Sequence, residues 1–295
     1  MKLLDISDTK NVNEALEAIG ADKPYTTKPV WSFLPDQVAM DGYKAIVDGN
    51  GKPLCINNDS YKLLQPIEAF SYVDDVRQHL GADFKEAGFL DNGRKLFIRA
   101  EIPETINVNP KVGDRLSFQL NFWTSFDGTM PSTFTMGWLR LVCSNGMTAM
   151  EDGQRARVRH TVNQHDRLVD AVADITGIKR TIEYNRELFE TFQRTEMKDK
   201  DIDTHLNRWF KGESSRSKNT RITVRQLYRT GLGNKGESCW DLLNAITEYQ
   251  QHHAVYRQTS SRSADENRFN SMELGRNRDF QRGVMNDLKQ FCLAN

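Results

Sequence analysis

The stretch "DRLSFQLNFWTSFDG", residues 114–128, decides the fold. Leu116, Phe118, Leu120 and Phe122 occupy every second position, so an extended chain places all four on one side. A helix would scatter them around its circumference. The preceding run, "RKLFIRAEIP" (94–103), alternates too, with Leu96, Ile98 and Ala100 on one side and Phe97, Arg99 and Glu101 on the other. After the short turn "FDGTMP", the run "PSTFTMGWLRLVCSNGM" (131–147) is apolar on both faces at Trp138, Leu139, Leu141 and Val142, which predicts a central strand. Together the three runs predict an antiparallel three-stranded meander.

Outward from the meander, "YKAIVDGNGKPLCINNDSYKLLQP" (43–66) has two strand-like runs around "DGNG" and predicts a hairpin. "PIEAFSYVDDVRQHLGA" (66–82) predicts a helix, with Phe70, Val73, Val76 and Leu80 at helical spacing and Gly81 near its end. "NQHDRLVDAVADITG" (163–177) predicts another, capped by Asn163. Further helices are expected over 178–196, 198–211, 238–257 and 265–293. Residues 212–220 and 258–264, where Ser, Gly and Lys/Arg replace apolar side chains, are expected to be mobile. The fold class is α+β: an N-terminal hairpin and helix, the meander, and a helical C-terminal third. The expected division is an α+β core domain over 1–177 and a helical region over 178–295 packed on it.

A chain of 295 residues, 38% of them hydrophobic, can bury a core that needs no covalent staple. Cys55, Cys143, Cys239 and Cys292 form no CxxC pair and are expected to be reduced. No apolar run approaches the roughly 18 residues of a membrane span. The start, "MKLLDISDTKNVNEALEA", reaches acidic residues too soon for a signal peptide. Both observations point to the cytoplasm, with no membrane partner. The net charge is zero but uneven. Residues 1–110 carry 12 bases and 17 acids, whereas 155–230 carry 17 bases and 11 acids, which favours a polyanionic partner for the second half.

The chemistry-bearing motifs are sparse. There is no GxSxG elbow and no GxxxxGK[ST], and the single GxGxxG spacing, at 231–236, is the turn described next, so no nucleophile or cofactor site is expected. "GLGNKG" (231–236) lacks a strand-to-helix context and reads as a turn. Glu248 and His252 are four residues apart, share a helical face and could reach one cation, with His160 as a third ligand. No HExxH accompanies them, and a packed helix face explains the pair as well. More residues converge on nucleic acid. Arg99 and Arg140 lie on strands, and Arg155, Arg157 and Arg159 alternate in "RARVRHT" just after them. Lys211, Arg216, Lys218, Arg221 and Arg225 crowd the segment 211–230, which has six bases and one acid. Phe97, Phe122, Trp123, Phe126, Phe134 and Trp138 are interleaved with the strand cations. Single-stranded binding uses such cations and stacking faces, although most of these rings are expected in the core.

The order "YKLLQPIEAF", "KLFIRAEIPE", "SFDG", "LVCSNGM", "RVRHT" and "WDLLNAITEYQQH" resembles the phage/plasmid-like family, a domain of unknown function found on mobile elements, over about residues 28–292. That resemblance implies an origin and no established activity, so no catalytic residue is carried over. In element order alone, the helix, meander and following helix are similar to single-strand annealing recombinases of the Redβ/RecT type. That likeness implies single-stranded DNA held in a basic groove beside the sheet of a ring or filament. Three functions are therefore expected in descending order: single-stranded DNA binding and annealing by a homo-oligomer, binding of a host defence protein, and metal-dependent nuclease action. A three-stranded sheet is expected to have open edges, one covered by the hairpin and one available to a neighbouring subunit.

Overall fold

The computed structural model describes residues 2–33, 35–109, 114–140, 145–147, 156–158 and 175–294. The chain begins with β1 (Lys2–Asp5) and α1 (Val12–Ile19), followed by β2 (Thr26–Ser32), β3 (Val38–Val47) and β4 (Pro53–Asn58). Two short helices, α2 (Pro66–Ala69) and α3 (Val73–Leu80), lead into β5 (Asp83–Leu90), β6 (Lys95–Asn109), β7 (Asp114–Ser125) and β8 (Ser132–Arg140). Two strands of three residues follow, β9 (Asn145–Met147) and β10 (Ala156–Val158). The helical part comprises α4 (Ile175–Arg194), α5 (Asp199–Trp209), α6 (Ser215–Thr230), α7 (Cys239–Glu248), α8 (Ala264–Glu273) and α9 (Arg276–Ala294). The protein is α+β, as its alternating and helical patterns imply.

The predicted meander is β6–β7–β8, and it is part of something larger. The main sheet runs β1-β5-β6-β7-β8-β10, all antiparallel, with β9 also on the outer side of β8. Leu120 faces Ala100 and Phe122 faces Ile98, so the alternating side chains meet on one buried face. Strand β5 went unread because a bulge between Phe84 and Glu86 breaks its period of two. β2, β3 and β4 make a separate three-stranded sheet. Its hairpin does not cover a lateral edge. It caps the turn end of the main sheet: Cys55 Sγ and Asn57 Nδ2 each donate to Phe126 O at 3.2 Å, and Tyr61 OH donates to Ser125 O at 3.1 Å. Among the described residues, the lateral edges end instead in the four-residue β1 on one side and in the three-residue β9 and β10 on the other.

Several helical expectations change. The helix expected over 66–82 divides into α2 and α3, yet Phe70, Val73, Val76 and Leu80 are all buried and Gly81 closes α3 with φ 63°. The segment 212–220, expected to be mobile, enters α6, whose cap is Ser214: its side chain accepts from Ser217 N at 3.2 Å. Thr220, Val224, Leu227 and Tyr228 form its buried face. The helix expected over 265–293 breaks before Gly275, where a β-carbon would lie 3.1 Å from Ser271 Cα. The α7 helix is buried on every side, and one π turn, Tyr249–His253, extends it. The helix expected over 163–177 lies outside the described residues up to 174.

One hydrophobic core runs through both halves. Trp138 of the sheet meets Phe189 of α4 at 5.7 Å, and Phe189 meets Trp240 of α7 at 5.2 Å. A second join is electrostatic. Asp91, in the β5–β6 turn, is buried and accepts hydrogen bonds from Lys95 and Arg262, while its N–H donates to Glu266 Oε1. Burial pushes the Asp91 carboxyl up, but these two bases outweigh it and hold it below the ordinary carboxylate range. Arg262 belongs to the second segment expected to be mobile; here it is anchored, and Thr259 N donates to Arg262 O at 2.9 Å. Among the described residues, no helix is long and apolar enough to cross a membrane.

Candidate nucleic-acid interface

The cations singled out from the sequence separate into three groups. Arg99 is buried. Its guanidinium donates to Glu86 at 2.6 Å, to Glu273 of α8 at 2.7 Å and to Asn121 Oδ1 at 2.7 Å. It is a structural clamp, not part of an open basic strip. The six aromatics interleaved on the strands, Phe97, Phe122, Trp123, Phe126, Phe134 and Trp138, are buried too, so the sheet offers no stacking platform from them. Arg140 closes β8 and Arg157 stands in β10 opposite Thr133. The side chains of Arg140 and Arg157 lie outside the described residues, as do Arg155, Arg159 and His160 entirely, so the strip expected there is not placed.

Of the five cations singled out within the basic segment, three are occupied. Arg225 pairs with Asp199 at 2.9 Å and with Asp203, locking α6 to α5. Lys218 pairs with Glu213 at 3.1 Å. Arg221 donates to Phe210 O at 2.6 Å and to Gly212 O at 3.0 Å, which fixes the bend between α5 and α6. That bend delivers Lys211 and Arg216, both exposed, to the mouth of a cleft of about 450 Å³. Its other contributors are Trp209, Phe210, Tyr249 and Phe280, with Thr220, Gln250, Arg276 and Asn277.

The cleft is built by helix ends. Phe210 and Phe280 lie 5.4 Å apart, and the Tyr249 ring stands edge-on to Phe210 at 6.3 Å. The π turn after α7 swings Tyr249 to this wall, where its hydroxyl meets Thr220 Oγ1 at 2.9 Å. Trp209 Nε1 donates to Asp287 Oδ2 at 2.7 Å, which fixes the indole. Lys211, Arg216 and Arg276 supply three cations with no carboxylate partner among the described residues, and no acid lines the cleft. Apolar faces beside uncompensated cations suit a planar ring joined to an anion. The volume lies within the ordinary range for a small-molecule site.

Sequence reasoning reached Lys211 and Arg216 but missed the rings and Arg276. "RWFK" (208–211) sets two aromatics against the basic segment and was the one available signal. Nothing in the sequence links Tyr249 or Phe280 to it. Of the three residues weighed as metal ligands, Glu248 and His252 are described and His160 lies outside the described residues. Glu248 is buried with Oε2 beside Gly231, where a β-carbon would come within 2.6 Å, whereas His252 is exposed on the π turn. Among the described residues, no three His, Cys, Asp or Glu side chains are grouped to hold a metal ion. No curated protein and no solved structure matches the chain. A family model described as a domain of unknown function (DUF932) matches residues 53–272.

Proposed function

Since the chain belongs to the DUF932 family, a domain of unknown function, we propose its role from its own residues: a single-stranded DNA-binding protein of phage or plasmid origin that binds without sequence preference. The observation that carries this reading is the cleft, where four aromatic side chains meet Lys211, Arg216 and Arg276 and no acid intervenes. A base stacks on the Phe210–Phe280 wall and the cations take the adjoining phosphates. Annealing in recombination, by several copies along one strand in the cytoplasm of a bacterial host, is the role this binding serves. Each copy contributes a few charge pairs with the strand, and their number gives the affinity.

Fluorescence anisotropy with labelled single-stranded oligonucleotides at two salt concentrations tests it. The expected result is salt-sensitive binding with little dependence on base composition. Taking one cation away from a phosphate lowers the salt slope by about 0.7. Lys211→Ala with Arg216→Ala therefore flattens the slope by about 1.4 if both touch phosphate. Phe280→Ala leaves the slope alone and weakens binding by about 1–3 kcal/mol, the value of one stacked base. An oligonucleotide that does not bind even at low salt removes this reading.

A protein partner is the second reading, and one observation favours it. The far end of the β2–β3 hairpin exposes Trp31, Phe33, Val38 and Met40. Large apolar side chains grouped on a surface mark contact sites. Trp31→Ser with Phe33→Ser leaves DNA affinity intact under the first reading and abolishes capture of a host protein under the second.

A further inference from the structure

The cleft leaves one chemically active feature unused. Cys239 opens α7 and Cys292 lies near the end of α9, yet their sulfurs are 3.7 Å apart. Cys239 is wholly buried and Cys292 is half-buried. The first is held in place by its own N–H, which donates to Thr195 O at 3.0 Å. Phe291, next to the second, packs edge-on against the His205 ring at 5.4 Å. A disulfide needs sulfurs at roughly 2.05 Å, which small side-chain rotations can reach from van der Waals contact. The two thiols are also unequal. The contact with Cys239 draws the Cys292 thiol below the ordinary thiol range against the effect of burial, and the same contact and burial push Cys239 up. A more exposed thiolate beside a buried thiol is the arrangement of an attacking and a resolving cysteine.

We propose that Cys239 and Cys292 are a modification site: a hydroperoxide oxidises the pair to a reversible disulfide that staples α9 to α7. The Cys292 thiolate attacks the outer peroxide oxygen. A sulfur–oxygen bond forms, the oxygen–oxygen bond breaks, and the departing oxygen leaves as water or alcohol after taking up a proton. Cys239 then attacks the Cys292 sulfur, the sulfur–sulfur bond forms, the sulfur–oxygen bond breaks and water leaves with the Cys239 proton. Two electrons pass from the thiols to the peroxide. The staple joins the helix carrying Arg276, Asn277 and Phe280 to the one leading into Tyr249 and Gln250, so it fixes two walls of the cleft relative to each other. The site stands on the sulfur geometry and does not depend on the nucleic-acid reading.

The test treats the folded full-length protein with hydrogen peroxide, then blocks free thiols by alkylation under denaturing conditions. Intact mass and peptide mapping are the readouts, with a melting curve on a parallel sample. The expected product has lost two hydrogen atoms and contains a Cys239–Cys292 linked peptide. It melts at a higher temperature, and dithiothreitol reverses both changes. Cys292→Ser abolishes the link. In Cys239→Ser, Cys292 stops at a sulfenic acid that dimedone traps; should that variant not fold, Cys292→Ser and the wild-type map decide alone. Cys292 carried to sulfinic acid without a link overturns the proposal, as does full alkylation of both residues after treatment.

Discussion

Arg99 shows what an alternating pattern leaves out. It shares the less apolar side of its strand with Glu101, and the pattern gives that side no cover. The structure lays α8 over it: Phe269 meets Phe97 at 5.4 Å, and Glu273 takes the guanidinium. Nothing near residue 99 encodes a helix that lies some 170 residues on. Arg99→Ala leaves Glu86 and Glu273 without their base and is expected to cost about 3–5 kcal/mol in urea unfolding. Replacing both acids by Gln in the same background recovers much of the loss. Trp240, by contrast, lies within the helix expected over 238–257, and it is 1% exposed. Its truncation to Ala costs about 3–5 kcal/mol by the same measurement. Asp91 sets a pH dependence. Because its folded carboxyl is held low, the stability it contributes is present above the ordinary carboxylate range and lost as pH falls through the folded value. The gap in melting temperature between wild type and Asp91→Asn is therefore expected to be full at about pH 7 and to shrink toward about pH 3. A gap independent of pH sinks that assignment.

Among the elements, β7 and the part of β6 up to Ile102 were readable because period two survives there, and β8 was readable from its run of apolar residues. β5 was not, since its bulge shifts Glu86 and all that follows by one place. α6 was misread for a compositional reason. Its segment is rich in Ser, Lys and Arg, but Val224, Leu227 and Tyr228 keep helical spacing and are buried. Its charges hold it against α5 through Arg225 and Arg229, which both reach Asp199. Ser214→Ala removes the cap and is expected to cost about 1 kcal/mol, with the loss of helical circular dichroism coming at lower denaturant. Because the bend before α6 positions Lys211, the same variant is also expected, on the proposed function, to weaken oligonucleotide binding without altering any residue of the cleft.

For the whole molecule, fold class and the order of the main elements were legible, since both follow from local periodicity. The cleft was not. Its walls come from the α5–α6 bend, the π turn after α7 and the start of α9, and only tertiary packing brings these together. The same long-range closure appears in the Asp91–Arg262 and Arg99–Glu273 pairs, where partners lie 171 and 174 residues apart. A ribosome delivers the acceptor turn and the meander long before it delivers residues 262–273. Until then a nascent chain carries a sheet whose Asp91 lacks its arginine and whose Arg99 lacks one of its two acids. The meander can pair early, because its strands are neighbours in sequence. It cannot reach native stability until synthesis has passed α8. Chains stalled on the ribosome with residue 258 outside the exit tunnel are expected to stay sensitive to protease across the main sheet, and those with residue 280 outside to become resistant. The translation machinery thus sets the earliest moment at which this protein can exist in its finished form.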